Sequence, residues 1–167
     1  VVAPTMRGLQ KDGIPYVGFV FIGLIKVGEN PKVIEYNVRM GDPETQVVLP
    51  RIQNDLFELL RATASGKLDS IKLSIDKRSV STIVAVSGGY PESYEKGKTI
   101  RGIDQSDFVV HAGTAIVEKE LVTSGGRVLS ATGVGADHNQ AIAQSYQALA
   151  KIDFEGIYYR KDIGFDL

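Results

Sequence analysis

The sequence contains no cysteine and only two histidines in 167 residues. Without cysteine, the chain has no disulfide framework, no thiolate zinc site and no cysteine nucleophile. His111 and His138 lie far apart, and neither has a second ligand nearby in the sequence, so a zinc site is not expected. The net charge of -1 provides no general attraction to nucleic acid or to an anionic membrane.

Long apolar runs are also missing. The most extended one, "YVGFVFIGLIKV", is far shorter than the ~20 residues that a transmembrane helix requires, and it contains glycines. The opening "VVAPTMRGLQ" has no initiator methionine, and no basic segment precedes an apolar one, so it is not a signal peptide. We therefore expect no membrane partner, and we expect the chain to be a fragment of a longer polypeptide.

The composition is that of a globular protein. Hydrophobic residues make up 43% and charged residues 23%, so the chain can bury a core and is not expected to be disordered. The sequence pattern changes after Gly66. Short β-rich pieces separated by glycine turns replace the pattern of helices and longer strands that precedes it. We place a domain boundary there, with residues 1–66 before it and 67–167 after it.

The first part predicts two helices that flank a hairpin. Residues 4–12 have helical spacing and end at Gly13, a suitable C-cap. Residues 14–27 and 32–38 are strand-like and are joined by the turn residues "GENP", which predicts an antiparallel hairpin. A second helix is predicted to begin at Pro50, with these apolar residues on one face: Ile52, Leu56, Leu59 and Leu60.

The second part predicts a meander or a partly closed barrel. Its strand-like pieces are "IKLSID", "STIVAVSGG", "DFVVHAG", "AIVEKELV" and "RVLSATGVG". A helix over residues 137–152 begins at Asp137, a good N-cap. We interpret "ATGVGAD" as a β-turn before that helix, "SGGYPESYEKG" as a turn with packed tyrosines rather than an anion site, His111 as a packed strand residue and His138 as solvated.

The stretch "KVIEYNVRMGDPETQVVLP" is the main candidate site. Glu35, Asn37 and Arg39 are spaced so that a strand would direct all three to one face. A carboxylate beside an amide oxygen suits Mg²⁺ or Mn²⁺, and an arginine there could contact a phosphate or a carboxylate. The alternative is a polar, solvent-exposed face of an edge strand, and the spacing alone leaves both interpretations open.

Polar residues continue into the turn that follows this strand. Asp42, Glu44, Thr45 and Gln46 surround a turn that Gly41 and Pro43 fix, and loops of this kind present polar groups to ligands. An ordinary turn with a helix N-cap is the alternative. The concentration of polar groups favours a ligand site.

These motifs resemble the phosphoribosylamine–glycine ligase family of the ATP-grasp superfamily. "IPYVGFVFIGLIKV" and "PKVIEYNVRMGDPETQVVLPRIQNDLFELL" resemble the end of its ATP-grasp catalytic domain. "SGGYPESYEKG", "VVHAGT", "TSGGRVLSATGVG" and "YYRKDIG" resemble its C-terminal domain, in the same order and over essentially the whole chain. The Glu-x-Asn pair is shared by many ATP-grasp enzymes, whereas "NVRMGDPETQ" together with "SGGYPESYEKG" is specific.

The resemblance implies an α+β fold, in which the C-terminal half of an ATP-grasp domain precedes a small, β-rich, barrel-like domain. It implies a cytoplasmic ligase that uses ATP and Mg²⁺ or Mn²⁺ to join glycine to 5-phosphoribosylamine through a glycyl phosphate, in de novo purine synthesis. The upstream domains of the same polypeptide would be required partners, and we expect this chain alone to be inactive.

The resemblance also implies roles for individual residues. Glu35 and Asn37 match the family's metal-binding pair, and Arg39 falls where the family has a catalytic cation near the phosphates or the acyl intermediate. The residues beside the glycine and phosphoribosylamine pocket would be Gly41, Asp42, Pro43 and Glu44. Many ATP-grasp enzymes supply a further carboxylate from the preceding strand, but "IPYVGFVFIGLIKV" contains no Asp or Glu.

Two other functions stay open at this point. The first is a different carboxylate–amine ligase of the ATP-grasp superfamily, against which the "GDPETQ" and "GGYPESYEKG" segments argue. The second is a non-catalytic module that binds a partner and retains only a vestigial ATP-grasp edge. The retention of Glu35, Asn37 and Arg39 together argues against such decay.

Overall fold

The computed structural model describes residues 1–106 and 108–167, which form two compact units. The first unit comprises Val1–Thr45 and Ile52–Ile75, and the second comprises Gln46–Arg51 and Asp76–Leu167. Both helices and strands are present, as the α+β prediction requires. The division of the chain into domains at residue 66 stays a prediction.

The first unit begins with helix α1 (Val2–Lys11), which is followed by strands β1 (Phe21–Val27) and β2 (Asn30–Asn37). Gly13 follows the helix with φ 67°, and its N–H donates to the Gln10 carbonyl at 3.2 Å. This left-handed conformation is easily adopted by glycine, which confirms the predicted helix end.

Strands β1 and β2 pair in antiparallel fashion, which confirms the predicted hairpin. The first strand is shorter than predicted, because residues 14–20 form an irregular segment in which the Tyr16 hydroxyl donates to the Phe19 and Val38 carbonyls. Gly23 pairs with Glu35 whereas Leu24 pairs with Val33, so Ile34 is an extra residue in β2. Such a β-bulge increases the local twist of a hairpin.

A short helix, α2 (Thr45–Val48), and a 3₁₀ turn (Leu49–Arg51) precede helix α3 (Leu56–Ala64). The prediction that this helix begins at Pro50 was wrong. The Asp55 side chain caps the helix by accepting from Glu58 N at 3.0 Å, and Gln53 N donates to the Ser74 carbonyl at 3.0 Å. These hydrogen bonds hold the segment before Asp55 in a non-helical conformation.

Two further predictions in this region were wrong for the same reason. Ile52 does not lie on the helix but forms an isolated β-bridge with Ile75. That single bridge is the only pairing of "IKLSID" with a strand-like segment in the described part of the chain, so this piece is not a strand of a sheet. Of the predicted apolar face, Leu59 is buried.

The second unit contains the remaining strands and the last helix of the described residues. They are β3 (Ser79–Val86), β4 (Val109–His111), β5 (Thr114–Val117), β6 (Glu120–Thr123), β7 (Arg127–Gly135) and α4 (His138–Leu149). Strands β3, β7 and β4 form an antiparallel sheet in that order, and β5 pairs with β6. The β-rich character is confirmed, whereas the barrel-like arrangement stays a prediction.

Two predicted strand pieces differ in the structure. "AIVEKELV" is not one strand but most of the β5–β6 hairpin, because Glu118 and Lys119 turn the chain with φ values of 49° and 72°. "DFVVHAG" supplies β4, and its first residue, Asp107, lies outside the described residues.

Helix α4 begins as predicted, since Asp137 Oδ1 accepts from Gln140 N at 2.8 Å. The β-turn predicted for "ATGVGAD" was wrong, because this segment continues strand β7 to Gly135. A Cβ on Gly133 would lie 2.6 Å from Ser145 N, and one on Gly135 would lie 2.5 Å from Ala141 N. The glycines therefore allow the backbones of β7 and α4 to approach closely.

The core of the second unit lies where α4 covers the sheet. Its buried apolar residues include Ile83, Ala85, Leu129, Ala131 and Leu149. In the "SGGYPESYEKG" loop, the Tyr90 ring packs against Gly126 and lies 5.9 Å edge-on from Tyr94, but it is exposed rather than packed on the core, and the choice of a structural turn over an anion site stays a prediction.

Of the predictions for the two histidines, one is confirmed and one is wrong. His138 is exposed, as predicted. The prediction that His111 is packed was wrong, because His111 is exposed and its Nδ1 lies 3.1 Å from Thr114 Oγ1. None of the helices over residues 1–106 and 108–167 has the length and apolar character needed to cross a membrane.

Candidate functional site

The end of strand β2 brings Glu35 and Asn37 together on one face, as their spacing predicts. Asn37 Nδ2 donates a hydrogen bond to Glu35 Oε1 at 3.1 Å. The Glu35 side chain is exposed and Asn37 is half-buried, so a ligand can reach the pair from solvent. Strand alternation holds both side chains on the same side of a two-stranded sheet.

The chemistry of this pair fits a divalent cation. A carboxylate and an amide carbonyl are hard oxygen donors, and rotation of the Asn37 amide would direct its carbonyl oxygen toward the carboxylate. Residues 1–106 and 108–167 contain no group of three or more His, Cys, Asp or Glu side chains that could hold a metal by themselves. Two protein oxygens completed by water and phosphate oxygens are a common Mg²⁺ arrangement.

Arg39 lies two residues beyond the end of β2 and is exposed. Its Nη1 donates to the carbonyl of Met40 at 3.3 Å, which directs the guanidinium along the chain. The argument from strand alternation does not extend to Arg39, because β2 ends at Asn37, so the placement of Arg39 on the same face as Glu35 and Asn37 stays a prediction. Its catalytic role stays a prediction.

The Gly41–Glu44 turn connects this strand end to helix α2, as predicted. Thr45 N and Thr45 Oγ1 both donate to the Gly41 carbonyl, at 3.0 and 2.5 Å. The Asp42–Pro43 peptide bond is cis, and the side chains of Asp42 and Glu44 are exposed. The turn therefore exposes two carboxylates.

The turn folds back toward the strand pair that carries Asn37. A Cβ on Gly41 would lie 2.9 Å from Glu44 Cδ and 3.1 Å from Phe21 Cε2, so the Glu44 carboxylate and the Phe21 ring both cover this glycine. Phe21 is the residue of β1 that pairs with Asn37. The roles of Gly41, Asp42, Pro43 and Glu44 in substrate binding stay predictions.

The charges of this region favour a cation. Residues 35–44 contain three carboxylates and one guanidinium, from Glu35, Asp42, Glu44 and Arg39. An excess of carboxylates raises the local concentration of cations, which is the electrostatic condition for binding Mg²⁺.

Sequence reasoning missed Gly23, which lies opposite Glu35 on β1. A Cβ at this position would lie 2.9 Å from Glu35 Cγ and 3.6 Å from Glu35 Oε1, so the glutamate side chain runs directly over the glycine. A glycine inside an otherwise β-branched strand is a signal for such a close approach.

Models of known protein families match two parts of the chain. Residues 80–166, more than half of it, match the family model "Phosphoribosylglycinamide synthetase, C domain". The chain belongs to the phosphoribosylglycinamide synthetase family. Residues 1–45, which carry Glu35 and Asn37, match the model of the ATP-grasp (A) domain of the same synthetase.

Individual relatives show the same family. The chain is 44% identical over 165 residues to the phosphoribosylamine–glycine ligase of Caldanaerobacter subterraneus, with 98% of this chain and 40% of the relative covered. It is also 44% identical to the bifunctional purine biosynthetic protein purD of Dictyostelium discoideum, covering 98% of this chain and 22% of that protein.

A solved structure agrees as well. The crystal structure of the phosphoribosylamine–glycine ligase of Thermotoga maritima matches with a TM-score of 0.83 and 34% identity, covering 95% of this chain and 40% of that one. The chain thus spans about 40% of the length of the curated bacterial ligases that it matches.

Proposed function

We propose that this chain is the C-terminal portion of an ATP-dependent ligase that joins glycine to 5-phosphoribosylamine. The observation that carries the proposal is the contact between Asn37 Nδ2 and Glu35 Oε1 at 3.1 Å, within the segment that matches the ATP-grasp domain model. Two adjacent oxygen donors in an ATP-dependent ligase family are best explained as ligands of the metal that accompanies ATP.

The overall reaction has two steps. A carboxylate oxygen of glycine attacks the γ-phosphorus of ATP, which forms glycyl phosphate and releases ADP. The amine of 5-phosphoribosylamine then attacks the carbonyl carbon, phosphate leaves with the former carboxylate oxygen, and the nitrogen loses a proton. Catalysis of this kind consists mainly of positioning and of neutralising negative charge.

Glu35 and Asn37 would hold Mg²⁺ or Mn²⁺ in this reaction. When bound, the metal would offset negative charge on the transferred phosphoryl group. The hydrogen bond between Asn37 and Glu35 holds the two side chains side by side, and metal binding would replace it as the Asn37 amide rotates to present its carbonyl oxygen.

Arg39 and the turn that follows would serve the substrates. In our proposal, the Arg39 guanidinium gives up its contact with the Met40 carbonyl and donates instead to a phosphate or to the acyl intermediate. The Gly41–Glu44 turn would lie beside glycine and the amine. The exposed Asp42 and Glu44 carboxylates suit the amino groups of both substrates.

The proposal includes the rest of the ligase polypeptide as a partner, in the cytoplasm. The hairpin of the first unit exposes large apolar side chains on β2 and directly after it, including Ile34 at 64% and Val38 at 70%. Contiguous exposed apolar residues mark surfaces that other protein segments cover. The remaining length of the relatives could supply that cover.

The test uses the full-length ligase that contains this chain. ADP release is measured with and without glycine and 5-phosphoribosylamine, for the native enzyme and for Glu35→Gln. Turnover should require both substrates and should fall at least about 100-fold in the variant, because one ligand charge is lost. Glu29→Gln is the control, since Glu29 is an exposed residue of the same hairpin.

Each result separates the candidate functions. Native turnover that persists with another carboxylate–amine pair would support a different ATP-grasp ligase. Absence of ADP release under every condition would favour a non-catalytic binding module. An equal loss in the Glu35→Gln and Glu29→Gln variants would remove the proposed role of Glu35.

A further inference from the structure

Gly23 lies opposite Glu35 in the hairpin, and the Glu35 side chain runs over it. The two residues are direct partners in the antiparallel β1–β2 pairing. Three atoms of the Glu35 side chain lie within 4 Å of the position that a Cβ on Gly23 would occupy, namely Cγ at 2.9 Å, Oε1 at 3.6 Å and Cδ at 3.7 Å. The absent side chain leaves the space that this rotamer needs.

We propose that Gly23 is a positioning residue, which keeps the Glu35 carboxylate over β1 and beside Asn37. This inference rests on the proposed function, in which Glu35 and Asn37 hold the metal. A Cβ at position 23 would lie closer to Glu35 Cγ than normal van der Waals contact allows. The backbone pairing fixes both Cα atoms, so the flexible Glu35 side chain would rotate away.

That rotation would remove the oxygen that the site uses. Glu35 Oε1, the atom that accepts from Asn37 Nδ2 at 3.1 Å, belongs to the side chain that has to move. The β-bulge at Ile34 lies directly before Glu35 and fixes which residue faces Gly23. Bulges are enriched beside functional sites, where they re-aim a side chain.

Substitution of Gly23 should weaken metal binding without lowering the thermal stability of the protein. Glycine weakens a strand interior, and alanine or valine there should leave the thermal midpoint unchanged or raise it. A glycine that serves only the fold would behave differently, because its substitution would lower the thermal midpoint.

The experiment measures Mn²⁺ binding to the full-length ligase saturated with a non-hydrolysable ATP analogue, with free Mn²⁺ followed by electron paramagnetic resonance. Gly23→Ala should weaken Mn²⁺ binding about 10-fold, and Gly23→Val should weaken it further. Gly8→Ala is the matched control, because a Cβ on Gly8 would meet nothing within 4 Å. The thermal midpoint of every variant is measured in parallel.

A double-mutant cycle shows whether Gly23 acts through Glu35. In a Glu35→Gln background, Gly23→Ala should cause no further loss of Mn²⁺ affinity. Three results would overturn the inference. The first is a Gly23→Ala variant that binds Mn²⁺ with native affinity, and the second is an equal loss of Mn²⁺ affinity from Gly23→Ala in the native and Glu35→Gln backgrounds. The third is a lowered thermal midpoint of Gly23→Ala. Unchanged Mn²⁺ affinity in Glu35→Gln alone would instead overturn the metal role on which the inference rests.

Discussion

At the residue scale, the candidate site depends on local geometry. Glu35 and Asn37 are two residues apart on one strand, and their mutual hydrogen bond needs no third element. This explains why the contact within the pair could be predicted from the sequence, whereas the end of the strand before Arg39 could not. Strand β2 ends at Asn37, and the carbonyl of the next residue, Val38, accepts from the Tyr16 hydroxyl at 3.0 Å, a contact that the sequence pattern does not reveal.

A second residue-scale feature is the ion pair of Asp76 in the second unit. Arg78 Nη2 donates to Asp76 Oδ2 at 2.7 Å, and Arg51 Nε donates to the Asp76 carbonyl at 3.0 Å. The side-chain hydrogen bonds from Arg78 lower the pKa of Asp76 below its usual 3.8. This aspartate therefore connects two separate segments of the unit while it remains charged.

The lowered pKa makes the contribution of Asp76 to stability dependent on pH. A carboxylate with a lowered pKa in the folded state stabilises the fold above its unfolded pKa, 3.8, and this stabilisation is lost as the pH falls through the folded pKa. Native protein should thus be more stable than Asp76→Asn at pH 6, and this advantage should decline as the pH falls below 3.8 and through the lowered pKa of Asp76.

Chemical denaturation at a series of pH values would measure the difference in the free energy of unfolding. Arg78→Ala provides the control background, in which the pH-dependent difference should become smaller but persist, because the backbone N–H of residue 78 still donates to Asp76 Oδ1 at 2.9 Å. A difference that is constant from pH 6 to pH 3 would contradict the prediction.

At the element scale, the turn of the β5–β6 hairpin has a strained backbone conformation that a substitution can relieve. Glu118 and Lys119 both have positive φ, a conformation that costs residues with side chains about 1 kcal/mol or more each. Lys119→Gly should therefore raise the free energy of unfolding by about 1 kcal/mol. Lys119→Ala is the control, because it removes the charge but keeps the Cβ, and it should give no gain. Equal changes in the two variants would indicate that the charge matters rather than φ.

The elements show which sequence signals are sufficient. Asp137 identified the start of α4 because its side chain caps the helix, and the turn "GENP" identified the hairpin. Apolar spacing alone placed the start of α3 too early, since it contained no information about the hydrogen bonds of Gln53 with the segment near Ser74. Glycine in "ATGVGAD" was interpreted as a turn, although Gly133 and Gly135 serve the contact of β7 with α4.

At the scale of the whole molecule, the chain spans about 40% of the length of the bacterial ligases that it resembles. We therefore predict that the isolated 167-residue chain shows no glycine-dependent release of ADP from ATP. The physical reason is that the two proposed metal ligands and the proposed substrate turn do not enclose ATP, and the remaining length of the relatives would complete the site.

The same assay on the full-length ligase is the positive control for this prediction. Glycine-dependent turnover by the isolated chain would contradict it. Binding of Mg²⁺ and ATP without turnover would not, because the two oxygen donors of β2 are present in the isolated chain.

The bulge at Ile34 divides the hairpin into two segments whose side-chain alternation is out of step. On the side of the turn, Val33 pairs with Leu24, and on the side of the site, Glu35 pairs with Gly23. A change of register confined to the turn side can therefore be absorbed at the extra residue. The turn between β1 and β2 can vary in length or sequence while Glu35 and Asn37 keep their orientation. The bulge thus separates the candidate site from changes in that turn.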